Sequence, residues 1–188
     1  MLLHTPRFAL RDFLEKDRAA FLACQMDPRY RRLYDLGEAH ERQVHDLFDL
    51  FVSWQREEPR LNVQIGFFER RTGRLCGCAG LRRAGEPEGR AILGIELSPD
   101  EWGRYRAAVE VASALLQYGF DDLGLHAVAG RTASGKTHVE KLARWFGADA
   151  VARRDGPDWM AARGWAEVDW AVDRGAWERS RRRASRSA

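Results

Sequence analysis

Hydrophobic residues alternate with polar ones, or recur every three to four positions, through most of the chain, and this periodicity predicts the order of its elements. Alternation predicts strands, and spacing of three to four predicts amphipathic helices. The predicted strands are 6–12, 61–70, 75–83, 91–98, 125–129, 148–153 and 165–172, and the predicted helices are 14–25, 38–56, a central one ending at Gly124, 137–146 and 174–182. The pattern therefore predicts an α+β domain on one mixed β-sheet of about seven strands, flanked by four to five helices.

The stretch from Ala91 to Leu125 is the most informative part of this pattern. A strand ends at Pro99, a short polar turn carries Arg104 and Arg106, and an amphipathic helix follows. The first N–H groups of a helix are unpaired and the helix dipole favours negative charge there. One interpretation is that this turn holds the pyrophosphate of a cofactor. The alternative is an ordinary strand–helix connection with solvated arginines.

Composition places the chain among globular proteins. It has 188 residues, of which 45% are hydrophobic and 31% are charged, with a formal net charge of +3. No apolar run has the length of a membrane span and the N-terminus does not resemble a signal peptide, so we expect a cytoplasmic protein. We expect the domain to cover 1–178 and a basic, disordered tail to cover 179–188. Because no aromatic residues are interleaved in this tail, nucleic-acid binding is not expected.

The three cysteines predict neither a disulfide nor a metal site. Cys76 and Cys78 lie two residues apart on a predicted strand, so they share a face and are badly placed to bridge each other. No His or further Cys lies at a spacing typical of a metal site. We interpret the cysteines as small buried residues.

Several short segments resemble a known family when their order and spacing are taken together. They are Leu10-Arg11-Asp12 with Asp27-Pro28, the turn Arg71-Thr72-Gly73, Leu97-Ser98-Pro99 through Trp102-Gly103-Arg104, Glu110 through Leu125, Phe146-Gly147, and Val168 to Trp177. In these residues the chain resembles the GNAT superfamily of acyl-CoA-dependent N-acyltransferases, most closely the ribosomal-protein N-acetyltransferase type. The resemblance covers nearly the whole chain.

The resemblance implies acetyl-CoA as co-substrate. It implies that main-chain groups of Leu97 and Ser98 pair with the pantetheine arm, where two parallel strands splay apart. It implies that the loop before the central helix wraps the pyrophosphate, through Gly103, Arg104, Tyr105, Arg106, Ala107 and Ala108. Separately, the glycine-rich segment 130–137 is expected to contact a phosphate or the pantetheine of the cofactor through Lys136. Tyr105 stands where the family has its key glycine, and Arg104 and Arg106 are expected to compensate by direct charge.

The reaction so implied is attack by a neutral amine on a thioester, which needs a group to accept a proton. Glu96, on the polar face of the central strand, is the candidate base; the alternative is a carboxylate with no chemical role. The tyrosine acid of many family members would fall near Ala143, which cannot donate a proton. Ser134, Thr137 and Tyr118 are the nearest hydroxyls, and of these we take Ser134 as the candidate acid. Without an acid, water can protonate the departing thiolate.

A competing motif lies between the strand at 125–129 and the helix at 137–146. The segment Gly130 to Thr137, GRTASGKT, matches the P-loop pattern of nucleotide-binding proteins at every position. The hairpin-length connections upstream, and the short chain after Thr137, argue against the parallel sheet that a P-loop protein needs.

The sequence thus predicts an N-acetyltransferase that moves an acetyl group from acetyl-CoA directly to a primary amine, either a protein N-terminus or a small molecule. A P-loop nucleotide-binding protein and a GNAT-fold binding module with degraded catalysis are the alternatives. A homodimer is the expected assembly by resemblance, and no membrane or metal partner is expected.

Overall fold

A computed structural model describes residues 2–34 and 40–186 of the chain. The strands are β1 Leu2–His4, β2 Phe8–Arg11, β3 Asn62–Glu69, β4 Leu75–Arg82, β5 Arg90–Leu97, β6 Ala127–Ala133, β7 Asp149–Asp155 and β8 Ala166–Asp173. The helices are α1 Arg18–Gln25, α2 Pro28–Tyr34, α3 His40–Trp54, α4 Tyr105–Asp121, α5 Thr137–Trp145, α6 Asp158–Ala161 and α7 Arg174–Arg186. Short 3₁₀ helices cover Glu15–Asp17 and Pro99–Glu101. None of the helices in these ranges is long and apolar enough to cross a membrane.

The chain divides into two compact units. The first unit comprises Met1–Ala84 and Gly94–Leu115, and the second comprises Gly85–Leu93 and Leu116–Ala188. Strand β5 and helix α4 each run from one unit into the other. The strand order is β1-β2-β3-β4-β5 in the first unit and β5-β6-β8-β7 in the second, which is the order of one mixed eight-stranded sheet. The predicted α+β architecture is confirmed, with β1 as an additional strand.

In the first unit, β1 to β4 pair as antiparallel neighbours. A cluster of phenylalanines packs α1 and α3 onto β3 and β4, and it comprises Phe13, Phe21, Phe48, Phe51 and Phe68. The Phe13 and Phe21 rings meet edge to face, with centroids 5.4 Å apart. This geometry adds roughly 0.5–1.5 kcal/mol to the burial of the rings. The cluster fixes α1, and so the last residue of α1, Gln25.

Asp17 joins the first strand pair to the turn before α1. The carboxylate is buried; it accepts two hydrogen bonds from the Arg11 guanidinium, at 2.6 and 2.9 Å, and one from the Leu14 N–H at 2.8 Å. Burial alone would raise the pKa of Asp17, but the hydrogen bonds from Arg11 and Leu14, with the positive charge of Arg11, lower it overall. Asp17 therefore stabilises the fold only while it is ionised.

We expect Asp17→Asn to lower the free energy of unfolding by about 1–3 kcal/mol at pH 7, because an amide cannot replace the paired carboxylate. The folded-state pKa lies below the unfolded value near 3.9, so the stabilisation is complete above about pH 4 and is lost as the pH falls through the folded-state pKa. Urea denaturation from pH 7 to pH 3 measures this difference. The exposed Asp46→Asn serves as control and should stay within about 0.5 kcal/mol of the wild type at every pH.

In the second unit, β5 and β6 pair in parallel over three residue pairs, from Arg90–Ala127 to Ile92–Ala129. Strands β6 and β7 each pair antiparallel with β8. Helix α7 is anchored by Trp177, which is buried against Phe120, and by the Ser180 hydroxyl, which donates to the Trp145 carbonyl at 2.6 Å. These contacts carry the helix to Arg186, well into the segment predicted as a disordered tail.

Among the strands and α-helices of the described residues, three short ones are absent from the sequence prediction: β1, α2 and α6. Helix α2 begins at Pro28, which the sequence pattern identified only as the end of the preceding helix; proline also suits the first position of a new helix, because its missing N–H would be unpaired there anyway. The predicted start of α3 at Glu38 lies outside the described residues.

Candidate active site

The end of strand β5 is held against a bulge in strand β4. Pairing between β3 and β4 passes from Phe67–Gly77 to Phe68–Leu75, so Cys76 is the extra residue of the bulge. The Cys76 carbonyl accepts a hydrogen bond from the Ser98 N–H at 2.8 Å. Gly77 has φ +150°, and a Cβ at this position would overlap the Glu96 carbonyl oxygen. The bulge and its glycine thus fix the main chain of Glu96 to Ser98.

A small pocket lies at this strand end, within the first unit. Glu96, Ser98 and Gln25 line it, together with Cys24 and Cys78. Gln25 is buried, and its Nε2 donates a hydrogen bond to Glu96 Oε1. The Ser98 hydroxyl is also buried, and it has no hydrogen-bond partner among the described residues. A carboxylate, a carboxamide and a hydroxyl therefore meet in one pocket.

The thiols of this pocket are not nucleophilic at neutral pH. Burial, with the nearby charges of Asp100 and Glu96, raises the pKa of Cys24 to about 11. Burial also raises the pKa of Cys78, and Glu96 adds to that effect. Because the thiolate is the reactive form of cysteine, neither side chain is suited to carry an acyl group. The pocket therefore favours direct attack on a thioester over transfer through a cysteine.

The loop from Ser98 to Arg104 leads from the pocket into helix α4. The only positive φ in this loop is at Gly103, +80°, and Tyr105 is already the first helical residue, with an exposed side chain. A tyrosine is compatible with helical dihedrals, so it does not obstruct the backbone here. Gly103 alone supplies the turn.

Hydrogen bonds within the loop leave some amides available. The N–H groups of Arg104, Tyr105 and Ala107 donate to nearby carbonyls, at 2.9 to 3.1 Å. Those of Gly103 and Arg106 have no acceptor within residues 2–34 and 40–186. This is the arrangement expected at the first turn of a helix, where unpaired N–H groups favour an anion.

A buried carboxylate of the loop holds two arginines, one from the loop and one from the turn before β4. Glu101 is 2% exposed and forms ion pairs with Arg74, at 2.6 Å, and Arg104, at 3.1 Å. The hydrogen bond that Arg74 donates to Glu101 raises the pKa of Arg74. Arg106 is exposed and has no ion-pair partner in the described ranges. Of the two arginines in the predicted phosphate loop, Arg106 is thus the one with its charge uncompensated.

Trp102 connects the loop back to the strand. Its indole Nε1–H donates to the Leu97 carbonyl at 3.0 Å, while the ring remains 38% exposed. A carbonyl has two lone pairs, so Leu97 can still accept a second hydrogen bond. Trp102 therefore orients the carbonyl that the GNAT resemblance predicts to pair with the pantetheine arm.

The second unit carries the two remaining predicted residues, Ser134 and Lys136. Ser134 Oγ accepts a hydrogen bond from the Ala166 N–H at 3.1 Å and lines a cavity of about 390 Å³ with Arg144 and Trp170. Lys136 lies at the start of α5, with its ammonium 5.9 Å from the centre of the Trp159 ring.

The structure does not support the P-loop interpretation. Gly130 to Ala133 belong to strand β6 and pair with Trp170 to Glu167 of β8, so these residues do not form a phosphate-cradling loop. Packing accounts for the glycine at position 135, because a Cβ there would overlap the Trp165 ring.

Comparison with known proteins decides the family. Residues 7–149 match the family model of the acetyltransferase (GNAT) domain. The chain belongs to the GNAT acetyltransferase family. An uncharacterized N-acetyltransferase of Bacillus subtilis, YoaA, is 30% identical to it over 125 residues, which span 66% of this chain and 69% of the relative.

Solved structures share the fold of this GNAT N-acetyltransferase at low sequence identity. A GNAT-family acetyltransferase from Bacillus anthracis has a TM-score of 0.72 and 18% identity, covering 92% of this chain and 98% of its own. A spermidine N-acetyltransferase SpeG chimera from Vibrio cholerae and hSSAT has a TM-score of 0.73 and 15% identity, covering 91% of this chain and 98% of its own. The resemblance inferred from the sequence is confirmed at the level of family and fold.

Two residues at the candidate active site of this acetyltransferase were missed by sequence reasoning, Gln25 and Trp102. Gln25 carries a usable signal, because it follows the buried Phe21 by four residues and is a polar side chain on an apolar helix stripe. Trp102 stands beside Gly103 in the predicted loop, but its bond to Leu97 is not encoded in any local pattern.

Proposed function

We propose that this GNAT acetyltransferase moves an acetyl group from acetyl-CoA to a primary amine, of a small molecule or a protein N-terminus, by direct transfer. The observation that carries this proposal is the juxtaposition, in the first unit, of the Glu96 pocket with the open amides and uncompensated Arg106 at the start of α4. Acetyl-CoA needs one site for its diphosphate and one for its thioester group. The start of α4 and the Glu96 pocket, which would provide these two sites, follow one another along the same short stretch of chain.

In the proposed reaction, Glu96 accepts a proton from the incoming ammonium, directly or through water. The neutral amine then attacks the thioester carbonyl carbon; a C–N bond forms, the C–S bond breaks, and the CoA thiolate takes up a proton. The Ser98 N–H is already bonded to Cys76, so it is not an available donor for the oxyanion. Ser134 stays the predicted proton donor for the thiolate.

The acceptor class follows from chemistry shared with similar proteins. The SpeG chimera is named as a spermidine N-acetyltransferase, and spermidine is an amine. Around the pocket, Glu96 and Asp100 both act electrostatically on Cys24, so a cationic acceptor would meet negative charge there. These features support an amine acceptor without selecting one amine.

Binding and turnover test the proposal separately. Acetyl-CoA at 100 times its Kd should raise the melting temperature by about 5–10 °C, whereas ATP with Mg²⁺ should leave it unchanged. A panel of amines, assayed by the free thiol of released CoA, then tests transfer. Stabilisation by ATP–Mg²⁺ alone would favour the P-loop alternative, and acetyl-CoA binding without transfer to any amine would favour a degraded binding module.

We expect Arg106→Ala to weaken acetyl-CoA binding about tenfold, because it removes an uncompensated charge from the proposed phosphate site. Isothermal titration calorimetry measures the Kd. Arg42→Ala removes a charge from the exposed surface of α3 and is the matched control. An unchanged Kd for Arg106→Ala would place the diphosphate elsewhere.

A further inference from the structure

Gln25 is the last residue of α1, and its side chain lies in the same pocket as Glu96. It is only 4% exposed and is separated from Glu96 by 71 positions along the chain, yet its Nε2–H donates to Glu96 Oε1. Burying a long polar side chain costs conformational entropy and desolvation free energy. Gln25 is nevertheless buried, on a helix stripe that is otherwise apolar. Its carboxamide meets the carboxylate that we propose as the base.

We infer that Gln25 is a positioning residue, whose carboxamide holds the Glu96 carboxylate in the orientation that accepts the proton of the acceptor amine. This inference rests on the proposed function. A glutamate side chain rotates about three bonds, and the last of them, which sets the direction of the two oxygens, has only a broad preference. A fixed donor on one oxygen therefore sets the direction of the other.

The neutrality of the donor matters as much as its position. An arginine or lysine in place of Gln25 would stabilise the carboxylate by a full charge and weaken it as a base, whereas a carboxamide contributes a hydrogen bond only. The other titratable groups that share the pocket wall are Cys24 on α1, Cys78 on β4 and Tyr30 on α2, and Asp100 and Arg82 act on the two thiols. Gln25 reaches Glu96 through a direct hydrogen bond.

Two variants of Gln25 separate positioning from simple packing. Gln25→Ala removes the donor, and Gln25→Glu keeps the length while placing a second carboxylate against Glu96. Two adjacent carboxylates do not ionise independently, so one of them titrates at a clearly higher pH. Gln55→Ala is the matched control, since Gln55 is also a glutamine that donates to a fixed oxygen, the Phe13 carbonyl at 3.0 Å.

The first measurement needs no acceptor. Carboxyl ¹³C NMR of protein labelled at glutamate, with Glu96→Gln assigning the resonance, follows the titration of Glu96 in each variant. We expect the Glu96 midpoint to move upward in Gln25→Ala and by about one pH unit or more in Gln25→Glu, and to stay in place in Gln55→Ala. A Glu96 midpoint that is the same in all four proteins, while only the melting temperature changes, would overturn the inference.

The second measurement links this contact to turnover. With an acceptor from the amine panel, kcat/KM should fall about tenfold in Gln25→Ala without a change in the Kd for acetyl-CoA, and its acidic limb should move to higher pH in Gln25→Glu. If Glu96→Gln keeps full activity, the proposed base is wrong, whatever the titrations show. If Glu96→Gln is inactive and both Gln25 variants keep the wild-type kcat/KM and pH profile, the positioning role is wrong and the proposed base stands.

Discussion

Glu96→Gln should lower kcat/KM by about 10²–10⁴-fold while leaving the Kd for acetyl-CoA unchanged. An amide cannot accept the amine proton, but it fills the same space and can still pair with Gln25, whose amide group can present either its donor or its acceptor. Steady-state kinetics with the best amine acceptor, together with calorimetry, measure the two quantities. The loss should shrink at high pH, where more of the acceptor is already neutral.

A matched carboxylate provides the control for this substitution. Glu57 is exposed and remote in sequence from the loop and from β5, so Glu57→Gln should keep the wild-type kcat/KM. Full activity of Glu96→Gln at neutral pH would remove Glu96 from the reaction and leave proton transfer to water. Loss of acetyl-CoA binding instead would show that the carboxylate shapes the cofactor site.

Gly77→Ala should lower the free energy of unfolding by about 3–5 kcal/mol. A Cβ at Gly77 would overlap both the Glu96 carbonyl and the Phe67 ring, and the φ of +150° is unfavourable for any other residue. Backbone strain contributes about 1–3 kcal/mol and forced separation of packed groups a similar amount. Because the overlap is with the Glu96 main chain, the variant should also weaken acetyl-CoA binding.

A second glycine separates these two costs. Gly73, in the turn between β3 and β4, has φ +74° but open space where its Cβ would be, so Gly73→Ala carries the dihedral cost alone. Urea denaturation of both variants should show the larger loss for Gly77→Ala. Equal losses would mean that β4 and β5 can separate easily, and that the close approach at Gly77 does not hold the strand end.

The sequence was sufficient for the fold because most elements follow from local periodicity. The strands at 62–69, 75–82 and 166–173 fall within a residue or two of their predicted bounds, and their order in the chain is what made the GNAT resemblance visible. The elements it did not predict are short, and their boundaries depend on single residues such as Pro28, whose meaning changes with the chain on either side.

The candidate site was predictable in part. The loop and the strand end were predicted because a strand, a turn with arginines and a helix form a recognisable local pattern. The contact of Gln25 with Glu96 and that of Trp102 with Leu97 depend on tertiary packing, which periodicity does not encode. The P-loop match is the opposite case, in which a local motif predicts a site that the fold does not form. Residues of the motif pair as strand β6 with β8 instead.

The protonated thiols have a practical consequence for assay design. Cys76 and Cys78 are buried, and burial raises the pKa of both, as it does for the half-buried Cys24. A thiol-reactive dye added to the folded enzyme should therefore react slowly with the protein itself. The colour that develops in the amine panel then counts released CoA almost directly, with a low background that rises only when the protein unfolds.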